Sequence, residues 1–454
     1  MKLAPYPEYK DSGVPWLGKI PAHWELHRGK WLFRKMERPV RSQDEVVTCF
    51  RDGTVTLRKN RRIRGFTESL KEIGYQGIRK GDLVIHQMDA FAGAVGVSDS
   101  DGKGTPVYSV CLPKRDLDTH YYAQLVREMS RSYFITSLAK GIRERSTDFR
   151  FDTFASLTLP VPLPEEQKAI SRFMRNESAQ INKFIRNKRR LIELLKEQKQ
   201  NVINQAVTRG LDPKVKFKPS GVEWIGDIPE HWEVRRLKFL CHNLNEQTSE
   251  KQPGETYIAL EHVESWTGRI SLPDDEITFD SQVKRFQPGD VLFGKLRPYL
   301  AKVTRPQTAG VCVGEFLVLR ATGDVSADFL EQKLRSKRVI DLINSSTFGA
   351  KMPRADWTFI GNLKFAYPPA DEQREILEHI QEKSAEIDQA IIRAQREIEL
   401  MREYRTRLIS DVVTGQVDVR NMKCEGGSLN EDEFEDIEEV EEEIELPEGG
   451  EDDE

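Results

Sequence analysis

No apolar stretch in this 454-residue sequence approaches the roughly 18 to 20 residues needed to cross a bilayer. Its first residues, MKLAPYPEYK, lack the apolar core of a secretory signal. A cytoplasmic protein without membrane contact is the expectation. Cysteine is scarce: Cys49, Cys111, Cys241, Cys312 and Cys424 are odd in number, scattered and never paired as CxxC. That argues against a zinc site or a disulfide framework and for free thiols in a reducing compartment. Catalytic signatures are missing as well. YPPA (367–370) lacks the Asn and the aromatic residue of an Asn-Pro-Pro-aromatic methyltransferase motif. GVSDSDGKGT (96–105) has five residues between its glycines where a phosphate-binding loop has four, and Gly104 stands where Ser or Thr should follow Lys103. No HExxH or GxSxG occurs. Pro273-Asp274 with Glu331-Gln332-Lys333 imitates a nuclease pattern, but such triplets recur in so charged a chain, as at Glu197-Gln198-Lys199. No catalytic residue, metal ligand or bound cofactor is expected of this chain.

Negative charge is also nearly missing from where a net of −5 would place it. Residues 425–454 hold 17 Asp and Glu and no Lys or Arg, so the other 424 residues carry 69 basic and 57 acidic side chains, a net of +12. A basic body fits a polyanionic partner, because Lys and Arg gain by neutralising phosphates and releasing counterions. The composition of the tail predicts disorder.

What is present is present twice. SGVPWLGKIPAHWELHRGKWL (12–32) and SGVEWIGDIPEHWEVRRLKFL (220–240) share 13 of 21 residues at an offset of 208. A second block repeats at offset 206: 16 of the 48 pairs from Glu165 to Asp212 match, including Glu166/Glu372, Gln167/Gln373, Ile181/Ile387 and Thr208/Thr414. Repeats of this kind define the architecture before any local pattern does. The expected division is 1–163 globular, 164–212 helix, 213–367 globular, 368–420 helix and 421–454 acidic tail.

The helices are predicted from Glu165 to Arg209 and from Asp371 to Thr414, which contain neither Gly nor Pro and are preceded by prolines. At 1.5 Å per residue each is about 65 Å long. Heptad stepping predicts a coiled-coil seam of Ile170, Met174, Ile181, Phe184, Leu191, Leu195 and Val202 on one helix. On the other it predicts Ile376, Ile380, Ile387, Met401, Tyr404 and Leu408. Antiparallel packing would relate the two halves by a pseudo-twofold axis, as suits a DNA duplex with its own local twofold. The expected fold class is therefore α+β, with two similar α/β domains separated by two long antiparallel helices.

The globular segments carry short apolar strands and turn residues, and the pairs Gly81-Asp82 and Gly289-Asp290 again sit 208 apart. Most other positions differ. One scaffold with two contents is what two recognition specificities require. Basic residues cluster there as candidate DNA contacts, since Arg and Lys bind phosphates and Arg reads guanine. They are Arg51, Arg58, Lys59, Arg61, Arg62, Arg64, Lys140, Arg143 and Arg145 in the first copy, and Lys295, Arg297, Lys302, Arg305, Lys351 and Arg354 in the second. His23 and His231, in matching IPxHWE motifs beside Trp24 and Trp232, read as a structural corner packing each domain against a helix.

The SGV-x-W-x-G-x-IP-x-HWE openings, the proline-led EQ helix starts (PEEQ at 164–167 and PADEQ at 369–373) and the duplicated order resemble type I restriction–modification specificity subunits, over residues 6 to about 420. The resemblance implies two target recognition domains, each reading half of a split site in double-stranded DNA, with spacer helices at 164–209 and 370–414. It also implies two modification (methyltransferase) subunits that supply S-adenosylmethionine chemistry, and restriction (helicase–nuclease) subunits that use ATP and Mg. The acidic tail departs from that pattern. Two other readings are a stand-alone DNA-modifying enzyme, which needs a catalytic motif not found, and a coiled-coil adaptor that never touches DNA.

Overall fold

The computed structural model of the chain describes residues 4–61, 73–138, 148–272, 282–347 and 352–422. It divides into two compact units, residues 1–188 with 396–454, and residues 189–395. These units cut across the linear boundaries expected from the sequence. Each combines one globular segment with the first part of one long helix and the last part of the other. The reason is burial: the two parts of each helix lay their apolar faces into different cores.

The strands of unit one that frame the site include β1 (Glu25–Arg28), β2 (Phe33–Lys35), β3 (Val47–Cys49), β4 (Val55–Leu57), β5 (Leu83–His86), β6 (Val95–Val97) and β7 (Tyr108–Pro113). Helix α1 (Thr119–Arg131), strand β8 (Thr158–Val161) and the long helix α2 (Pro164–Arg209) follow. The main sheet has the order β2-β7-β5-β6, antiparallel throughout. Its central strand reads as an unbroken apolar run because both faces are covered. Leu83 and Ile85 face the core shared with α1, α2 and the end of the second long helix, while Val84 faces a smaller core with Val47, Val55 and Val110.

Unit two repeats the plan with β9 (Glu233–Arg236), β10 (Cys241–Leu244), β11 (Val291–Gly294), β12 (Val303–Thr304) and β13 (Phe316–Ala321), then α3 (Ala327–Arg335), β14 (Lys364–Tyr367) and α4 (Ala370–Val413). The sheet order β10-β13-β11-β12 matches unit one strand for strand. Val291 and Phe293 face the helical core and Leu292 the smaller one. Gly81 and Gly289 turn into β5 and β11 at φ +90° and +88°, a conformation that glycine adopts without penalty. The aspartates after them are buried, and each is paired with an arginine: Asp82 with Arg38, and Asp290 with Arg320 at 2.7 and 2.8 Å.

Within unit one α2 and α4 run antiparallel, with Arg405 Nη1 donating to Asn182 Oδ1 at 3.0 Å and Lys188 paired with Glu397 further along. Within unit two Lys199 pairs with Asp388 at 2.7 Å, and Ile203 and Val207 share a core with Ile376 and Ile380. The buried positions correct the heptad seam. Ile170, Met174, Ile181, Ile376, Ile380, Ile387 and Leu408 are buried as expected, and Phe184, Leu195, Val202 and Met401 are half-buried. Leu191 and Tyr404 are 40% and 45% exposed. Burial follows an eleven-residue step instead, through Ile170, Ile181, Ile192 and Ile203 on α2 and Ile376, Ile387, Ile398 and Ile409 on α4. Eleven residues in three turns is 3.67 per turn, close to the relaxed helix, whereas a 3.5-residue step drifts about 20° per heptad and leaves the interface after a few turns.

Among the described residues no helix is long and apolar enough to cross a membrane. Cys49, Cys111, Cys241 and Cys312 are buried free thiols, and burial pushes Cys241 and Cys312 up to about 12, which keeps them protonated at neutral pH. Cys424 and the acidic tail lie outside the described residues.

Candidate nucleic-acid interface

Each unit is locked by the same corner of His, Trp, Glu and Gln, to which unit one adds Tyr6. At the start of α2 the Glu166 carboxylate is buried and fully engaged: Tyr6 Oη donates to Oε1 at 2.6 Å, Trp24 Nε1 donates to Oε1 at 3.0 Å, and His23 Nε2 lies 2.9 Å from Oε2. Burial, then the bond to Glu166, holds the Tyr6 phenol far above its ordinary range. In unit two Trp232 Nε1 donates to Glu372 Oε1 at 3.0 Å and His231 Nε2 lies 2.6 Å from Oε2. The neighbouring glutamines repeat too. Gln167 Oε1 accepts from the backbone N–H of Asp118, the cap of α1, at 2.9 Å, and Gln373 Oε1 accepts from that of Ser326, the cap of α3, at 2.8 Å. Each HW–EQ set thus ties the domain opening, the long helix and the domain's own short helix into one hydrogen-bonded network, as a corner should.

The far end of each long helix closes the opposite copy's corner. Gly415, at φ +80°, packs against Pro21 and Trp24, and Gly210, at φ +72°, packs against Glu372 and Trp232; a side chain at either would collide. The carbonyl of Val413 accepts from Tyr121 Oη at 3.1 Å, and its equivalent, Val207, accepts from Lys333 Nζ. Lys333 is fully buried, and desolvation brings its ammonium down to about 7. The Glu331-Gln332-Lys333 triplet is therefore internal, with Glu331 paired to Arg335 at 3.1 Å.

The expected DNA-contacting cations separate into presented and internal ones. Arg51 stands exposed in the β3–β4 turn, 3.1 Å from Asp89, and Lys59 is exposed beside Glu45. Arg58 is half-buried, with Nε 3.3 Å from Thr48 Oγ1. Arg61 turns inward onto Asp52 and lies 4.6 Å over the Phe50 ring, where it braces the hairpin. In unit two Arg297 and Arg354 are exposed, and a bridge between Leu296 and Arg354 brings their segments together beside Lys295. Lys302 and Arg305 are internal instead: Lys302 Nζ donates to the Leu260 carbonyl at 2.7 Å, and Arg305 pairs with Asp328 and Glu331. Both are half-buried, and their charges satisfy protein acceptors. Arg62, Arg64, Lys140, Arg143, Arg145 and Lys351 lie outside the described residues.

Sequence reasoning missed the backbone of the segment after β11. Arg297 and Ala301 both adopt left-handed φ, +50° and +48°, which costs a side-chain-bearing residue energy and concentrates at functional loops. Neither is Gly, Asn or Asp, so no local signal announced it. The corresponding segment after β5 is Gln87-Met88-Asp89, without a cation, and there unit one brings Arg51 from its hairpin to Asp89. One scaffold position therefore presents different chemistry in the two units.

No family model matches the chain. It is 22% identical over 252 residues to the EcoDI type I restriction enzyme specificity subunit of Escherichia coli, a match covering 51% of this chain and 56% of that protein, little more than half its length. It is 23% identical over 314 residues to the MjaVIII specificity subunit of Methanocaldococcus jannaschii, covering 64% and 68%. Among solved structures, a chain from work on complex assembly and conformational transition of the type I R-M system superposes with a TM-score of 0.62 at 15% identity, over 88% of this chain and 99% of that one. The HsdS subunit from Thermoanaerobacter tengcongensis superposes at 0.52 with 16% identity, over 88% and 98%. In sequence and in fold, this chain is similar to proteins named as type I restriction enzyme specificity subunits.

Proposed function

We propose that the chain reads a two-part target in double-stranded DNA, one part with each unit, and scaffolds partner subunits that carry out the chemistry. The observation that carries this is the pairing of one sheet topology with two different sets of presented side chains, Arg51 and Lys59 in one unit and Lys295, Arg297 and Arg354 in the other. Presented arginines hold phosphates or read guanine, so divergent sets on a common frame give two specificities.

The scaffolding role rests on a second repeat. Leu194 on α2 and Leu400 on α4 are equivalent positions, and both are exposed, at 45% and 46%. Matching apolar points on duplicated helices suit two copies of one partner, each docking alike. In this reading those partners are modification subunits that bring S-adenosylmethionine, joined by restriction subunits that bring ATP and Mg, all in the cytoplasm. The chain itself contributes recognition and no catalytic group.

Methylation-sensitive sequencing of DNA from cells with and without the chain tests the proposal. The expected result is a split motif whose methylation disappears with the chain. Methyl transfer or cleavage by the purified chain alone, or an unchanged methylome, overturns it. Leu194→Asp with Leu400→Asp should leave DNA binding intact while abolishing partner capture in a pull-down.

A further inference from the structure

The turn leading into each main sheet carries an aromatic ring that the DNA-reading proposal does not use. Gly29–Leu32, between β1 and β2, and Leu237–Phe239, between β9 and β10, are single helical turns. Leu32 and Leu240 are buried beneath them, whereas Trp31 is 64% exposed and Phe239 60%. A lysine lies over each ring, with Lys30 Nζ 5.4 Å from the Trp31 centroid and Lys238 Nζ 5.5 Å from that of Phe239. Both turns are pinned. Lys114 Nζ donates to the Lys30 carbonyl at 2.7 Å, and Thr322 Oγ1 donates to the carbonyls of Phe239 and Leu240 at 3.2 and 3.0 Å.

A single exposed ring is ordinary on a protein surface; the same ring with the same cations on both copies is not. Other exposed positions of the repeated block change chemistry, Pro15 to Glu223 and Lys19 to Asp227. Arg28/Arg236, Lys30/Lys238 and Trp31/Phe239 keep theirs. Sheet topology separates these rings from the candidate DNA contacts. β7 pairs Pro113 with Phe33 and Tyr108 with His86, and β13 pairs Ala321 with Cys241 and Phe316 with Gly294. The aromatic turns therefore precede one end of each sheet. Asp89 with Arg51, and Lys295 with Arg297, follow the other end, about 17 Å away along the strands. Exposed cations flank each turn, Arg28, Lys30 and Lys114 in unit one and Arg236, Lys238 and Lys364 in unit two. None of the six forms an ion pair with a described residue. The complementary surface is an apolar recess rimmed by carboxylates.

We propose that the two turns are matched docking knobs for two copies of one partner protein, each copy receiving a ring in such an acidic-rimmed recess. The inference rests on the scaffolding reading and adds to it a contact on each globular segment, apart from the long helices. The full chain, titrated with the methyltransferase subunit encoded beside it and followed by calorimetry and sedimentation, should bind two copies. Trp31→Ala and Phe239→Ala should each weaken one of the two binding steps by about thirtyfold, the size of an aromatic hot spot, and the double variant should weaken both. Exchanging the rings, Trp31→Phe with Phe239→Trp, should keep affinity within about threefold. Lys30→Glu with Lys238→Glu should weaken binding, most at low salt. Unchanged thermal unfolding of these surface variants separates the losses from a folding defect. A wild-type chain that binds no methyltransferase overturns the scaffolding reading and this inference with it. Wild-type binding that the double alanine variant leaves intact overturns this inference alone, and duplex affinity lost in its place assigns the rings to nucleic acid.

Discussion

Glu166 and Glu372 occupy equivalent positions but not equivalent surroundings. Glu166 is 2% exposed and accepts from three side chains, whereas Glu372 is 23% exposed with two partners. Removing a buried acceptor strands its donors, so Glu166→Ala should lower folding stability by about 3 kcal/mol and Glu372→Ala by about 1 to 2 kcal/mol. Urea unfolding followed by tryptophan fluorescence reads both, since Trp24 and Trp232 report on the two corners. Lys333 makes a pH prediction. Its folded pKa of about 7 lies below its unfolded value, so between about 7 and the ordinary lysine range near 10.4 the unfolded chain binds more protons. Stability should therefore rise with pH across that window, by up to about 1.4 kcal/mol per pH unit from this one group. Lys333→Met should flatten the rise. An equal slope in the variant would assign the buried proton elsewhere.

At the scale of the element, the long helices discriminate between two repeats. If burial steps by eleven, Ile181→Ala and Ile387→Ala should each cost about 2 to 4 kcal/mol, because each leaves a cavity. Leu191→Ala and Tyr404→Ala, seam positions in the heptad reading, should each cost less than about 1 kcal/mol. Equal losses in all four would restore the heptad. Helix existence and extent were legible because 45 residues without Gly or Pro and rich in Glu, Lys and Arg have few alternatives. The interface was not, because heptad stepping and the eleven-residue step from Ile170 both reach Ile181 and diverge only later. Strands were legible where both faces are buried and the run is apolar throughout, as in Leu83–His86.

For the whole molecule, charge is the quantity that spans scales. Residues 1–424 carry +12 and the tail reverses it to −5, so deleting 425–454 should turn a weakly acidic protein into a basic one, retained on a cation exchanger at low ionic strength and released as salt screens its charge. Duplex affinity measured at several salt concentrations should be unchanged by the deletion. A rise in affinity that fades with salt would instead make the tail a competitor for the basic surfaces. The candidate interface was legible as a set of basic clusters but not residue by residue. Arg61 and Arg305 look like surface cations in sequence and are bound to Asp52 and to Asp328 and Glu331.

The sequence by itself determined the duplication, the two helices, the HW corner and the basic body, because each is a property of composition or of spacing along the chain. Only the tertiary structure decided how the parts are shared out. The end of each helix closes the other copy's corner, the interface steps by eleven, and Asn182 faces Arg405 where the repeat sets an ion pair. These depend on which faces meet across more than 200 residues of chain, and burial and charge pairing settle that only once the chain has folded.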